Sequence, residues 1–146
     1  MPSWPHTTPN VVIDANAVIS ASLKADSTPE RALRLARRFC TVCMSRDVSD
    51  EIGRVLVRPW LQARVSNERR DEMLGLLHGA ARVFEPTERV TDCRDAKDNR
   101  YLELALAACA DIIISGDQDL LVLDPWRGVR ILSPVAFVAL WDASPP

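Results

Sequence analysis

The chain has 146 residues, 47% of them hydrophobic and 26% charged, with a formal net charge of −2. That length suits one domain with a real core, and the charge provides no global positive field to gather nucleic acid. No apolar run reaches the ~18 residues that a membrane span needs. The opening MPSWPHTTPN carries neither the basic nor the apolar region of a secretory signal, so a cytoplasmic protein without membrane contact is expected.

Residues 1–10 read as a flexible leader and residues 143–146 as a frayed tail, around one domain over residues 11–142. VVID, ending at Asp14, is a short β-branched run that predicts a buried strand. ANAVISASLK follows with helical character. STPERALRLARRF opens a second helix, with Thr28 as N-cap, Pro29 at the first position and Glu30 in the first turn. FCTVCM predicts the second strand. The next helix is expected after a cap at Ser49, with a break at Pro59, and another after a cap at Ser66. RVFEP and ERVTD suggest short extended pieces. DNRYLELALAACA is the clearest helix, apolar at Tyr101, Leu102, Ala105, Leu106 and Cys109. DIIIS and VRIL predict two further strands, and SPVAFVALW a last helix with Ser133 as cap. Wholly apolar strands alternating with helices predict an α/β fold whose mainly parallel sheet is covered on both faces.

The four cysteines are expected to be reduced. Cys40 and Cys43 lie three apart on an expected strand and so point to opposite faces, which predicts buried inert thiols rather than a metal pair. The two histidines, His6 and His78, argue against a His-based triad or zinc site. Any chemistry must come from carboxylates.

Asp14 ends one apolar strand and Asp117 follows another by two residues, in SGDQD. Ligands of open parallel sheets bind beyond the carboxyl ends of the strands. Glu51, expected in a first helical turn, and Asp98, opening a helix, can join them. Singly these acids read as caps or turn residues. Together they would repel one another and raise their own pKa values unless a cation neutralises them. Oxygen ligands suit Mg²⁺ or Mn²⁺, and a carboxylate-held Mg²⁺ points to phosphoryl transfer or phosphodiester hydrolysis.

With VVIDANAVIS, SDEIGRVL, CRDAKDNRYLELALAACADIIISGDQDLL and RILSPVAFV in this order, the chain resembles the PIN-domain family of metal-dependent ribonucleases, in particular its toxin subgroup. The resemblance implies a three-layer α/β/α sandwich with a central, mainly parallel sheet. It places Asp14, Glu51, Asp98 and Asp117 on the family's acidic quartet, binding one or two Mg²⁺ or Mn²⁺ ions. Asn16 matches the polar residue of the first motif and is expected to orient Asp14. Ser115 stands where the family often has Thr, Asp119 is an accessory acid, and Asp95 rivals Asp98 for the third position. Ala15 replaces a commoner Thr.

The activity implied is endonucleolytic hydrolysis of single-stranded RNA, by the toxin of a toxin–antitoxin pair, with an antitoxin and a second copy of the chain as the expected partners. Arg31, Arg34, Arg37 and Arg38 on one helix, with Lys97 beside Asp98, are the candidate contacts for RNA or partner, although a solvated face is the favoured reading of such arginines. Few aromatic residues argue against base stacking. A degenerate PIN domain serving only to bind protein or RNA is the main alternative. An aspartyl-phosphate hydrolase fits less well, because Asn16 stands where it needs a second Asp. A response-regulator receiver needs a lysine after a late strand, where this chain has Gly116 and Asp117.

Overall fold

The computed structural model describes residues 8–142. The expected leader, apart from its last three residues, and the expected tail lie outside them. In chain order the elements are β1 (Asn10–Ile13), α1 (Ala15–Leu23), α2 (Thr28–Phe39), β2 (Thr41–Met44), α3 (Arg46–Leu56), α4 (Pro59–Gln62), α5 (Asn67–His78) and β3 (Arg82–Val83). A 3₁₀ turn (Ala96–Asp98) leads into α6 (Asn99–Ala107), β4 (Ile112–Ile114), α7 (Gln118–Leu121), β5 (Arg130–Leu132) and α8 (Pro134–Asp142).

The strands form one sheet in the order β3-β2-β1-β4-β5, with every pairing parallel. Val11 pairs with Val42 and Ile112, and Ile113 with Val12 and Ile131. Successive strand residues point to opposite faces. Val11, Val12 and Ile13, like Ile112, Ile113 and Ile114, are nevertheless all buried, so helices cover both faces of these strands. One group of helices joins α2 to α1, α5 and α8, while α6 packs on β1, β2 and β4 and meets α3. Phe39 and Trp141 stack with ring centroids 5.1 Å apart, fastening α8 to α2.

The chain runs outward from β1 through β2 to β3, then returns to place β4 and β5 on the other side of β1. The order therefore reverses between β1 and β4. At such a point neighbouring connections leave in opposite directions and open a crevice at the carboxyl edge.

Local differences from the expected elements have simple causes. The α2 cap is Ser27 rather than Thr28, its side chain accepting from Glu30 N–H, and Thr28 is already helical. Likewise Ser45, not Ser49, caps α3 through Val48 N–H at 3.1 Å. Two hydroxyls competed for each position, and burial of Ser45 at the end of β2 decided the second. Glu51 consequently sits in the second turn of α3 rather than the first. The α6 helix stops at Ala107, and Cys109 is exposed in the left-handed region with φ of 49°, so its place in the apolar period is fortuitous. Cys40 terminates α2 instead of joining the strand. Burial pushes the Cys40 thiol up to about 12 and the Cys43 thiol up to about 11, which keeps both protonated and inert.

Candidate metal and phosphodiester site

At the carboxyl edge of β1, Asp14 keeps the sheet ladder through its N–H to Ile114 O at 3.0 Å. The next residue begins α1, so the carboxylate lies at a helix N-terminus as well as at a strand end. Only 2% of Asp14 is exposed. Oδ1 accepts from Ala17 N–H at 2.8 Å and from Gly116 N–H at 3.4 Å, and Oδ2 from the Ser115 hydroxyl at 2.5 Å. Burial raises its pKa to about 6, against the Ser115 and backbone donors that lower it, with the nearby Asp117 charge adding a smaller upward push.

The Ser115 hydroxyl also accepts from Asp117 N–H at 3.0 Å, so one buried serine sets both acids relative to each other. Ser115→Ala should destabilise the metal-free protein by about 1.5–3 kcal/mol at pH 8, where Asp14 is ionised. The loss should shrink at pH 5, where the carboxyl holds its own proton. Urea unfolding in EDTA at the two pH values checks this, and an equal loss at both would show that the bond does not serve an ionised carboxylate.

Asp98 arrives from the other direction. It occupies the position before α6 but makes no capping hydrogen bond, although it is buried. Among the described residues its Oδ2 has no hydrogen-bond partner. Burial, then a hydrogen bond shared with the Asp117 carboxyl and the charges of Asp117, Asp95 and Asp14, push its pKa up to about 7. Two carboxyls in such contact can share a proton, and cannot both ionise without cost. Asp117 itself caps the short α7 through Asp119 N–H at 2.8 Å.

Asp14, Glu51, Asp98 and Asp117 line one cleft of about 80 Å³, together with Ala15, Asn16, Val55, Arg58, Asp95, Lys97 and Tyr101. Glu51 differs from the other three. Its Oε2 meets Arg54 at 2.7 Å and Arg100 at 3.3 Å, and although burial raises its pKa, these arginines bring the balance below the usual value. It is already neutralised within the protein. Arg100 also reaches Asp47 at 3.1 Å.

Asn16 does not orient Asp14. Its Nδ2 points to Asp117 Oδ2 at 3.5 Å, because Ser115 and two backbone N–H groups already occupy the Asp14 oxygens. Asp95 is in the cleft but caps the 3₁₀ turn through Lys97 N–H, and Lys97 Nζ lies 3.8 Å from it. Asp119 is not among the residues lining the cleft, and Arg94 meets its carboxylate at 3.2 Å. The arginines of α2 lie away from the cleft as well. Arg31 pairs with Asp142, Arg34 with Glu30 and Glu72, Arg38 lies over the Phe39 ring, and Arg37 lies beside Gly79.

Tyr101, Arg100 and Arg58 were not singled out from the sequence. The Tyr101 hydroxyl accepts from Ala15 N–H at 3.1 Å inside the cleft, and burial raises its pKa. One signal was available: Tyr101 follows Asp98 by three residues at the start of a helix, which puts both on one face. Nothing local marks Arg58.

Among the described residues no group of three or more His, Cys, Asp or Glu side chains stands ready to hold a metal ion. The donor chemistry nonetheless fits a hard cation. Mg²⁺ is commonly held by one or two carboxylates and completes its shell with waters and phosphate oxygens. Asp98 with its partnerless oxygen, Asp117 against it and Asp14 beside them supply such oxygens. No helix of the described residues is long and apolar enough to cross a membrane.

Comparison with known proteins agrees with this architecture. An uncharacterized protein, MJ1680, of Methanocaldococcus jannaschii is 33% identical over 115 residues, which are 77% of this chain and 74% of that protein. The crystal structure of PAE2754 from Pyrobaculum aerophilum superposes with a TM-score of 0.58 over 97% of this chain and 96% of that one, at 15% identity. The likeness to it is one of fold. The family model described as a PIN domain matches residues 10–119, spanning Asp14, Glu51, Asp98 and Asp117. PIN domains are in general nucleases that use divalent metals, and this chain belongs to the PIN-domain family.

Proposed function

We propose that this protein is an endoribonuclease that hydrolyses phosphodiester bonds of single-stranded RNA, with Mg²⁺ or Mn²⁺ bound by Asp98, Asp117 and Asp14. One observation carries the reading: Asp98 is buried against another carboxyl and its Oδ2 accepts no hydrogen bond. A structural carboxylate would be capped or ion-paired, and a cation removes the repulsion that this arrangement otherwise stores. When bound, such a cation lowers the pKa of water towards neutrality and offsets charge building on the phosphate oxygens.

The protein's own side chains do the positioning. Ser115 and the Ala17 N–H hold Asp14 at the sheet edge, and Tyr101 fixes the backbone that follows it. Arg54 and Arg100 hold Glu51 in the cleft wall as a neutralised acid, which suits a contact through water better than direct ligation. Arg58 and Lys97 place cations at the cleft, where substrate phosphate needs them.

In this reading the chain is the toxin of a toxin–antitoxin pair. That part rests on the resemblance of RILSPVAFV to the closing segment of the toxin subgroup. An antitoxin partner and self-association belong to the same proposal. Expression without a neighbouring antitoxin should arrest growth, and Asp98→Asn should relieve the arrest.

A second reading, a PIN domain that binds without cutting, is favoured by the arginines on Glu51, which leave that acid little need of a metal. Incubation with a mixed single-stranded RNA pool separates the two. Cleavage is expected with Mn²⁺, none with EDTA, and at least about a hundredfold less for Asp14→Asn or Asp98→Asn. Cleavage persisting in EDTA or in both variants would remove the metal-nuclease reading.

A further inference from the structure

We infer that Arg58 and Trp60 form a nucleotide-binding subsite beside the acidic cleft, the arginine taking a backbone phosphate and the indole stacking an unpaired base. This rests on the nuclease reading for its substrate class, single-stranded nucleic acid, and adds where the strand leaves the acids. α3 ends at Leu56, and Pro59 begins α4 two residues after the α3 C-cap. A proline disfavours helical backbone in the residue before it, and Arg58 is extended, with φ −60° and ψ 136°. Arg58 lines the cleft, where its charge acts on Glu51, and among the described residues no hydrogen bond or ion pair engages its guanidinium. The cleft arginine is thus available, whereas Arg54 and Arg100 are committed to Glu51.

Trp60 follows two residues later, so its Cα lies within about 7 Å of chain from that of Arg58. It is 45% exposed, on a one-turn helix whose buried anchor is Leu61. Arg64 lies 5.9 Å from the ring centroid and donates to Trp60 O at 2.9 Å, which steadies the indole and adds positive charge beside it. An exposed indole with Arg64 over its ring, two residues along the chain from a cleft arginine, suits single strands, whose bases stack on aromatic faces and whose backbone seeks cations. The low aromatic content of the chain does not preclude this, because one well-placed ring is enough. The charge favours nucleic acid over a second protein chain as the occupant.

The test is binding, read without cleavage. A six-nucleotide single-stranded RNA of mixed bases is titrated with the full chain in Ca²⁺ and followed by fluorescence anisotropy. The same backbone with abasic sites serves as the comparison. The intact strand should bind the wild type at least about tenfold more tightly than the abasic strand, and Trp60→Ala should remove about that factor while Trp60→Phe retains most of it. Arg58→Ala should weaken both strands and reduce the dependence of affinity on salt. Equal affinity of the wild type for the two strands overturns the subsite without any variant. Unchanged RNA affinity in Trp60→Ala also overturns it, including the case where that variant alters self-association and so assigns the ring to a protein interface. Failure of the nuclease reading would appear separately, as absence of cut product in Mn²⁺.

Discussion

Replacing Asp98 with Asn will make the metal-free protein more stable while removing the RNA cleavage proposed for it. The sign follows from the raised pKa of Asp98, about 7 against 3.8 for an ordinary aspartate. The folded protein then holds this proton more tightly than the unfolded chain does. The contribution of Asp98 is harmless below about pH 4, where both states are protonated, and becomes destabilising as pH rises from about 4 to about 7. Asparagine has no proton to lose and no charge to set against Asp117, Asp95 and Asp14. At pH 7.5 in EDTA the gain should be on the order of 2 kcal/mol, or roughly 5 °C in melting midpoint. It should vanish at pH 4. Mn²⁺ should raise the midpoint of the wild type more than that of the variant, since only a ligand that binds the folded state stabilises it. Thermal melts at the two pH values with and without Mn²⁺ decide it. A variant less stable at pH 7.5, or equally stabilised at pH 4, would show that Asp98 serves the fold and not a cation.

The largest loss of stability is expected at Arg69→Ala, far from the acids. Arg69 on α5 forms an ion pair with the buried Glu30 of α2 and donates to Ala21 O at 2.6 Å and Ser22 O at 3.4 Å near the end of α1. A second pair, Arg34 to Glu30 at 2.9 Å, completes the cluster. These carbonyls belong to the last turn of α1, where the helix has no partners of its own. Removing the arginine leaves a buried carboxylate half satisfied and loosens three helices at once, at a cost of about 3–5 kcal/mol. That is a large part of the 5–15 kcal/mol that typically holds a domain together. Burial raises the pKa of Glu30, but the two arginines outweigh it and lower the pKa. The stabilisation is therefore present above the ordinary pKa of 4.5 and is lost as pH falls through the lower folded value. Urea unfolding at pH 7 should show the full loss. The double variant Glu30→Gln, Arg69→Met should recover much of it, since no unpaired charge remains. A double variant as unstable as Arg69→Ala would assign the loss to the α1 carbonyls instead.

The second effect bears on the site, because Asp14 caps α1 and Asn16 lies in its first turn. Its first turn is held by the Asp14 cap and its last by Arg69. The acid therefore sits at one end of a helix braced at both.

Much of this was legible in the chain. VVI, TVCM, III and RIL are short and mostly β-branched or apolar, and the wholly apolar VVI and III need cover on both faces, which is how a parallel sheet is built. Capping hydroxyls and prolines marked the helix starts to within a few residues. They failed at Ser27 against Thr28 and Ser45 against Ser49, where two equivalent hydroxyls lay close together and only packing chose between them. Acids placed at strand ends were enough to locate Asp14 and Asp117 at the carboxyl edge, because an unpaired carboxylate is costly inside a strand buried on both faces.

Contacts between distant side chains were not legible. The sequence by itself determined a parallel α/β fold and which acids stand at its carboxyl edge, since hydrophobic period and the cost of buried charge act locally along the chain. Only the tertiary structure decided how those acids differ. Asp98 is left with a partnerless oxygen, Glu51 is neutralised by Arg54 and Arg100, Asp119 is turned to Arg94, and Asn16 reaches Asp117 while Ser115 holds Asp14. Each outcome depends on residues brought together from far apart in sequence or on which neighbour wins a shared oxygen. Burial and competing charges at that one place set the chemistry.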